Sequence, residues 1–298
     1  MWTKSAEEQF FRQHLNAGIP PEALFYWMDG KFVAYYPKSF KGQKGTLQSR
    51  NSYIGKYTEA WFADLIKPII DKIGSAMGKK LYVELGVISE EIELTKQSAA
   101  DVAICTKSGK FQRPENIVAI FEVKMSVVWN WEYDPKNDSL NEIGDFTTHI
   151  GTPSLLRSDS MLKAIGKSVN IRASSLEASR IPIVVVGNTP VTRNYYHKVD
   201  NLKKIGIIQG FWSVNPNPLN SSNQRYNIKQ TPSGGFHRFD TKEELESALM
   251  ELLSQNLQFF GGMLSREELG RIIEQANEAD TYEEKAERFL ELLWGEAV

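Results

Sequence analysis

The segment that most restricts how this chain can fold is Asn116 to Val128, "NIVAIFEVKMSVV". β-Branched and aromatic residues dominate it, which suits an extended strand. Successive strand side chains point to opposite faces, so Phe121, Val123 and Met125 share one face while Glu122 and Lys124 share the other. A strand this apolar belongs at the centre of a sheet, yet an isolated buried charge costs several kcal/mol unless a partner compensates it. The segment therefore poses both a fold constraint and a chemical question.

Its neighbours supply the sheet. "KLYVELGVI" (Lys80 to Ile88) and "ADVAICT" (Ala100 to Thr106) precede it as strand-like runs, and "IPIVVVGNTP" (Ile181 to Pro190) follows as a β-branched buried strand. A further strand is expected around "IGIIQGFWSV". A helix is expected from Ser52, capped by Asn51 or Ser52, with Tyr53, Ile54, Tyr57, Trp61, Leu65, Ile69 and Ile73 at helical spacing. Pro68 should kink or divide it. A second helix is expected within Ser158 to Ser175, after a long polar segment from Asn130 to Pro153. Residues 5–17 read as a short amphipathic helix, and "FYWMDGKFVAYY" as a hairpin turning at Asp29-Gly30. From Thr241, with Thr241 and Glu244 as a capping box, two or three amphipathic helices close the sequence. The order predicts an α/β fold: a central mixed β-sheet flanked by helices, with a helical C-terminal extension. Three regions are expected: an N-terminal helix, hairpin and basic loop (1–51), a core (52–240) and an acidic helical region (241–298).

At 298 residues and 41% apolar content the chain can fill a large core. No run reaches the length of a membrane span and the N-terminus is unlike a signal peptide, so the expected compartment is the cytoplasm, with no membrane partner. The single cysteine, Cys105, excludes an intramolecular disulfide or cysteine-rich zinc site. Net charge is −2, but Thr241 to Val298 carries fourteen acidic against five basic residues, leaving residues 1–240 at +7 by difference. Lys31, Lys38, Lys41, Lys44, Arg50 and Lys56 occur in one stretch without an acidic residue, as a phosphate-contacting surface requires, although a solvated lysine-rich loop would look the same.

The simplest partner for Glu122 is Lys124, a salt bridge at a strand end. Asp101, at the start of the preceding strand, adds a second possibility. Antiparallel strands joined by a loop bring the start of one near the end of the next, so Asp101 and Glu122 can converge. Two adjacent carboxylates repel unless a cation lies between them, and oxygen ligands suit a hard ion such as Mg²⁺. The backbone carbonyl of Val123 could add a ligand, and Lys124 could orient an attacking water and stabilise its hydroxide form. Such a group would be suited to phosphodiester hydrolysis.

The pattern Asp…Glu-x-Lys, in the order helix, strand, strand with Asp, strand with Glu-x-Lys, helix, strand, resembles the PD-(D/E)XK nuclease superfamily, which includes many type II restriction endonucleases. The resemblance covers Ser52 to Pro190 and rests on arrangement more than identity; Ala100 stands where the family name has proline. It implies a restriction-endonuclease-like core, Asp101 and Glu122 as metal ligands, Lys124 as the catalytic lysine, and Glu59 as a further acidic residue presented by the first core helix.

Beyond this group, Lys163, Lys167 and Arg172 fall at roughly helical spacing after the Glu-x-Lys strand and join Lys41, Lys44 and Arg50 as candidate DNA-backbone contacts; a solvated basic face is the alternative. Trp129, Trp131 and Tyr133 alternate beyond the strand and either stack on bases or pack in the core. His14, His149, His197 and His237 have no zinc-like spacing. "NTPVTRNYYHKVDNLKK" and "NPNPLNSSNQRYN" read as polar loops that can address base edges. No GxxxxGK[ST] occurs, so no nucleotide cofactor is expected. The sequence thus predicts a Mg²⁺-dependent, sequence-specific endonuclease for double-stranded DNA, acting as a homodimer because two strands need two sites. Two rivals are a structure-selective repair or recombination nuclease of the same fold and a non-catalytic DNA-binding module. The recognition sequence, cut position, dependence on base modification and base-reading residues are not encoded in any legible motif.

Overall fold

Strands β3 (Tyr82–Val87), β4 (Ala100–Cys105) and β5 (Ile117–Val123) pair antiparallel in succession, and β5 then pairs parallel with β8 (Ile183–Gly187). In this computed structural model β9 (Gly210–Ser213) and β10 (Phe236–Arg238) extend the parallel half, giving a six-stranded mixed sheet of order β10-β9-β8-β5-β4-β3. The structure describes residues 1–43, 45–220, 226–255, 257–260 and 264–294, with residue 294 described by its backbone alone. They form two compact units, Met1–Gln258 and Phe259–Val298. The α/β class and the mixed central sheet agree with the sequence.

Alternation decides which helix covers which face. Val102, Ile104, Phe121, Val184 and Val186 join a core with α2 (Gln48–Ala76), through Phe62, Ile66, Ile69, Ile70 and Ile73. Ala103, Cys105, Ile120 and Ile183 point the other way, into a second core with Ile171 of α3 (Ser158–Ser174). A sheet covered on both sides explains why its strands read as near-continuous apolar runs. The helix α2 begins four residues before the expected Ser52, with Leu47 at its N-cap and no side-chain cap. Pro68 lies inside α2, in an exposed position, without dividing it.

α1 (Lys4–Asn16) and the hairpin of β1 (Tyr26–Met28) and β2 (Lys31–Val33) form as expected, with Asp29 and Gly30 at positive φ (50° and 83°) as a two-residue turn requires. The polar segment 130–153 departs from expectation. It contains the hairpin β6 (Asn130–Asp134) and β7 (Ser139–Gly144), which joins β1 and β2 in a four-stranded sheet of order β1-β2-β6-β7. Trp129, Trp131 and Tyr133 are buried there and pack in the core. The first loop expected to read bases is partly the helix α4 (Tyr196–Lys204), whose Val199 and Asp200 are buried; of the second, residues 221–225 lie outside the described residues.

α5 (Lys242–Ser254) buries Leu245 and Leu249 in the same core as α2, so the first unit runs on through the start of the acidic segment. Thr241 accepts from Glu244 N at 3.2 Å, but the Glu244 carboxylate accepts from Asp240 N, one residue short of a capping box. The second unit holds α6 (Arg266–Ala276) and α7 (Tyr282–Trp294). No helix among the described residues is long and apolar enough to cross a membrane.

Candidate active site

Pairing of Val102 with Phe121 sets a register in which Asp101 stands opposite Glu122, both on the sheet face covered by α3. β5 ends at Val123, but the next amide still donates to Val186 O at 2.6 Å, so Lys124 leaves the sheet from a fixed point. Its ammonium turns back over the carboxylates, 2.5 Å from Glu122 Oε1, 3.3 Å from Asp101 Oδ2 and 3.2 Å from Val123 O. The Val123 amide donates to Asp101 Oδ2 at 2.7 Å. The three residues singled out from sequence are therefore in direct contact.

A fourth member comes from α3. Lys167 Nζ lies 2.6 Å from Glu122 Oε2 and 3.8 Å from Asp101 Oδ1, and donates to Ala99 O at 2.6 Å. The approach to Glu122 Oε2 is an ion pair out of hydrogen-bond line, leaving that buried oxygen without a hydrogen bond. Lys167 was expected at a DNA backbone; its side chain, 16% exposed, points into the carboxylate pair instead. It borders Ala164 and Ser168, which are buried, whereas Lys163 is 73% exposed and pairs with Asp159 at 3.1 Å. Spacing alone groups the two lysines, and packing separates them.

The charges respond to one another. Burial, and then the neighbouring Glu122 carboxylate, push the Asp101 carboxyl above its usual range against the pull of both lysines. Burial draws Lys124 down, but Glu122 and Asp101 outweigh it and hold the ammonium above its ordinary pKa. Glu59 on α2 is half-buried; burial first, then the Asp101 charge, raise it to about 7, with Lys124 and Lys167 opposing. Its carboxyl is thus electrostatically coupled to Asp101, Glu122, Lys124 and Lys167.

Lys124 also lines an open cleft of about 570 Å³, bounded by the start of α2, the 150–154 loop and the start of α3. The cleft lies at the carboxyl ends of parallel strands, where open α/β sheets usually bind ligands. Ser126, Asn188 and Ser154 stiffen its floor: Ser126 N donates to Asn188 Oδ1 (3.2 Å), Asn188 Nδ2 to Ser126 O (2.7 Å), and Asn188 N to Ser154 Oγ (3.0 Å). Lys163 and Arg157 bring cations to its rim, and Asp159, its acidic residue among those lining it, pairs with both.

The remaining candidates are placed elsewhere. Lys41 is exposed, and Lys44 lies outside the described residues. Arg50 borders the cleft but is buried; its guanidinium donates to Leu24 O and Ala34 O and lies 4.5 Å from the Tyr35 ring centroid. Arg172 is buried and donates to Ile207 O, Ala178 O and Gln209 Oε1. These two arginines are committed to backbone carbonyls, so neither offers a free guanidinium to a phosphate. Sequence reasoning passed over Glu7, which α1 buries completely beside β6. It accepts from Val128 N, Trp129 N and the indoles of Trp131 and Trp2. An acidic residue in a first helical turn ordinarily serves the helix dipole, which is why its tertiary role was not legible.

Among the described residues no three His, Cys, Asp or Glu side chains are grouped as a metal cage. The oxygens of Asp101, Glu122 and Val123 still suit Mg²⁺, which binds through one or two carboxylates and keeps several waters. No protein-family model, curated protein or solved structure matches this chain.

Proposed function

We propose that this protein is a Mg²⁺-dependent endonuclease of the restriction type, acting on double-stranded DNA. The observation that supports it best is the convergence of Asp101, Glu122 and Lys124 across one β-ladder beside an open cleft. The resemblance to the PD-(D/E)XK superfamily assigns the same three residues from order alone.

Asp101 and Glu122, with the Val123 carbonyl, would hold the ion, which when bound would polarise a phosphoryl oxygen and activate a water. The chain's own residues do the rest. Lys124 is the group member that faces the cleft. Its ammonium, 2.5 Å from Glu122 Oε1 and 3.3 Å from Asp101 Oδ2, supplies a positive charge and N–H donors at the edge of the cleft. There it can orient the attacking water and stabilise charge developing on the phosphate. Exposed Lys163 and Arg157 at the rim can position the DNA backbone without reading sequence. Two-strand cleavage would use two copies of the site, hence a homodimer.

Incubating the full chain with plasmid DNA and Mg²⁺ tests the reading. Discrete fragments of reproducible size support it. Cleavage of branched DNA alone would favour a structure-selective nuclease, and no cleavage of any substrate would leave a non-catalytic module.

A further inference from the structure

The proposed chemistry needs one lysine beside the carboxylates, and the site has two. Lys124 approaches Glu122 Oε1 and Asp101 Oδ2, whereas Lys167 approaches Glu122 Oε2 and Asp101 Oδ1. The two ammoniums divide the pair between them, one from the end of β5 and one from α3. Their surroundings differ: Lys124 lines the cleft and Lys167 does not. Lys167 has a further anchor outside the pair, the carbonyl of Ala99 at 2.6 Å.

Buried Glu122 and partly exposed Asp101 are matched by two ammoniums as they stand. A divalent cation entering the same oxygens brings two more positive charges beside ammoniums that already pair with them, and at such distances like charges repel strongly. We infer that Lys167 is a positioning residue that serves Asp101 and Glu122 as an internal counter-ion and competes with a divalent cation for them, setting the Mg²⁺ concentration the site requires. The inference rests on the reading of this pair as Mg²⁺ ligands. It follows that removing the charge at 167 leaves the pair under-compensated: the metal-free protein loses stability and the affinity for a divalent cation rises. A purely structural lysine would lower stability equally with and without Mg²⁺. A lysine bound to DNA phosphate would leave Mg²⁺ affinity unchanged.

The test measures Mg²⁺ binding by calorimetry, and thermal unfolding with and without Mg²⁺, on the full chain without DNA. Lys167→Met should bind Mg²⁺ about tenfold more tightly than wild type, and Mg²⁺ should raise its Tm by more than it raises that of wild type. Lys167→Gln should do the same and serves if the methionine variant does not fold. Lys167→Arg, which keeps the charge, should stay near wild type, and Asp101→Asn should abolish binding. If wild type binds Mg²⁺ in an Asp101-dependent way while both neutral variants bind equally or more weakly, the inference is overturned and the metal reading survives. If no form of the protein binds Mg²⁺, the metal reading falls and this inference with it.

Discussion

The Val123 amide donates to Asp101 Oδ2 at 2.7 Å, tying a carboxylate on β4 to the β5 backbone one residue beyond Glu122. The acid is therefore positioned by the peptide chain as well as by lysines, and the two kinds of contact can be separated. Asp101→Asn keeps an oxygen for the Val123 amide but loses the charge. It should fold with a near-normal Tm and cut DNA at least about 10²-fold more slowly. Asp101→Ala removes both and should also lose about 1–2 kcal/mol of stability. Cleavage rates and thermal unfolding of the two variants check this; normal cutting by Asp101→Asn would remove Asp101 from the site.

Lys124 and Lys163 both line the cleft, yet they should fail differently. Lys124 is bound to two carboxylates, so Lys124→Ala should lower the cleavage rate by about 10²-fold or more and leave DNA affinity within a few-fold. Lys163 is 73% exposed. Lys163→Ala should keep the rate at saturating DNA, weaken binding slightly, and reduce the salt-dependence slope by about one. Gel-shift titrations at several salt concentrations beside single-turnover rates distinguish the two. The opposite pattern would place Lys124 on the DNA and leave the chemistry unassigned.

Glu7 gives a pH-dependent prediction away from the site. Burial raises its carboxyl to about 7, although four N–H donors pull the other way. A carboxyl whose folded pKa exceeds its unfolded value holds its proton more tightly in the native state. Its contribution is full below the unfolded pKa and is lost as pH rises through about 7. The stability of wild type relative to Glu7→Gln should therefore narrow between about pH 5 and 7.5, by up to roughly 3 kcal/mol. Taking the difference cancels other titrating groups, such as His149, whose burial lowers it to about 4 and gives the opposite slope. Urea denaturation at both pH values measures it. A gap that widens with pH would mean that the donors of Val128, Trp129, Trp131 and Trp2 keep the group ionised.

Residues whose fate depends on local pattern were legible in the sequence. Strand alternation placed Glu122 and Lys124 on one face, and the antiparallel neighbour brought Asp101 to them. The Asp29-Gly30 turn followed from a backbone that needs two positive φ angles. What could not be read depends on distant partners. β6 and β7 are polar on one side and are stabilised by β2, about a hundred residues earlier, as Phe32 pairs with Tyr133. The alternation of Trp129, Trp131 and Tyr133 was the signal that a strand was present. Lys167 and Lys163 share a spacing, and only the approach of α3 to β4 and β5 gives them different work. Arg50 lies in a lysine-rich segment but is buried by the Tyr35 ring and two carbonyls, contacts that composition does not show.

Arg172 extends that contrast to a measurable outcome. Its guanidinium bonds Ile207 O at 3.3 Å and Gln209 Oε1 at 3.1 Å, as well as Ala178 O, and burial lowers its pKa to about 10. The residue fastens the end of α3 to the approaches of β8 and β9. Arg172→Met would leave those carbonyls without their donor and should cost about 2–4 kcal/mol. DNA affinity of the folded fraction should not change. A variant of normal stability that binds DNA weakly would return Arg172 to the DNA surface.

Pro68 is the one proline inside α2. It has no amide hydrogen, so the carbonyl of Asp64 loses its helical donor, and the ring crowds the preceding turn. The side chain is exposed, so replacing it opens no cavity. Pro68→Ala should stabilise the protein by about 1–3 kcal/mol, seen as a higher Tm. The same helix carries Glu59 toward the carboxylate group nine residues earlier, so the cleavage rate reports whether the proline also sets that approach. An unchanged rate with a raised Tm would mean that α2 is positioned by its apolar face, through Phe62, Ile66 and Ile69. A raised Tm with a slower rate would mean that Pro68 helps to aim Glu59, and that stability was given up there for the geometry of the site.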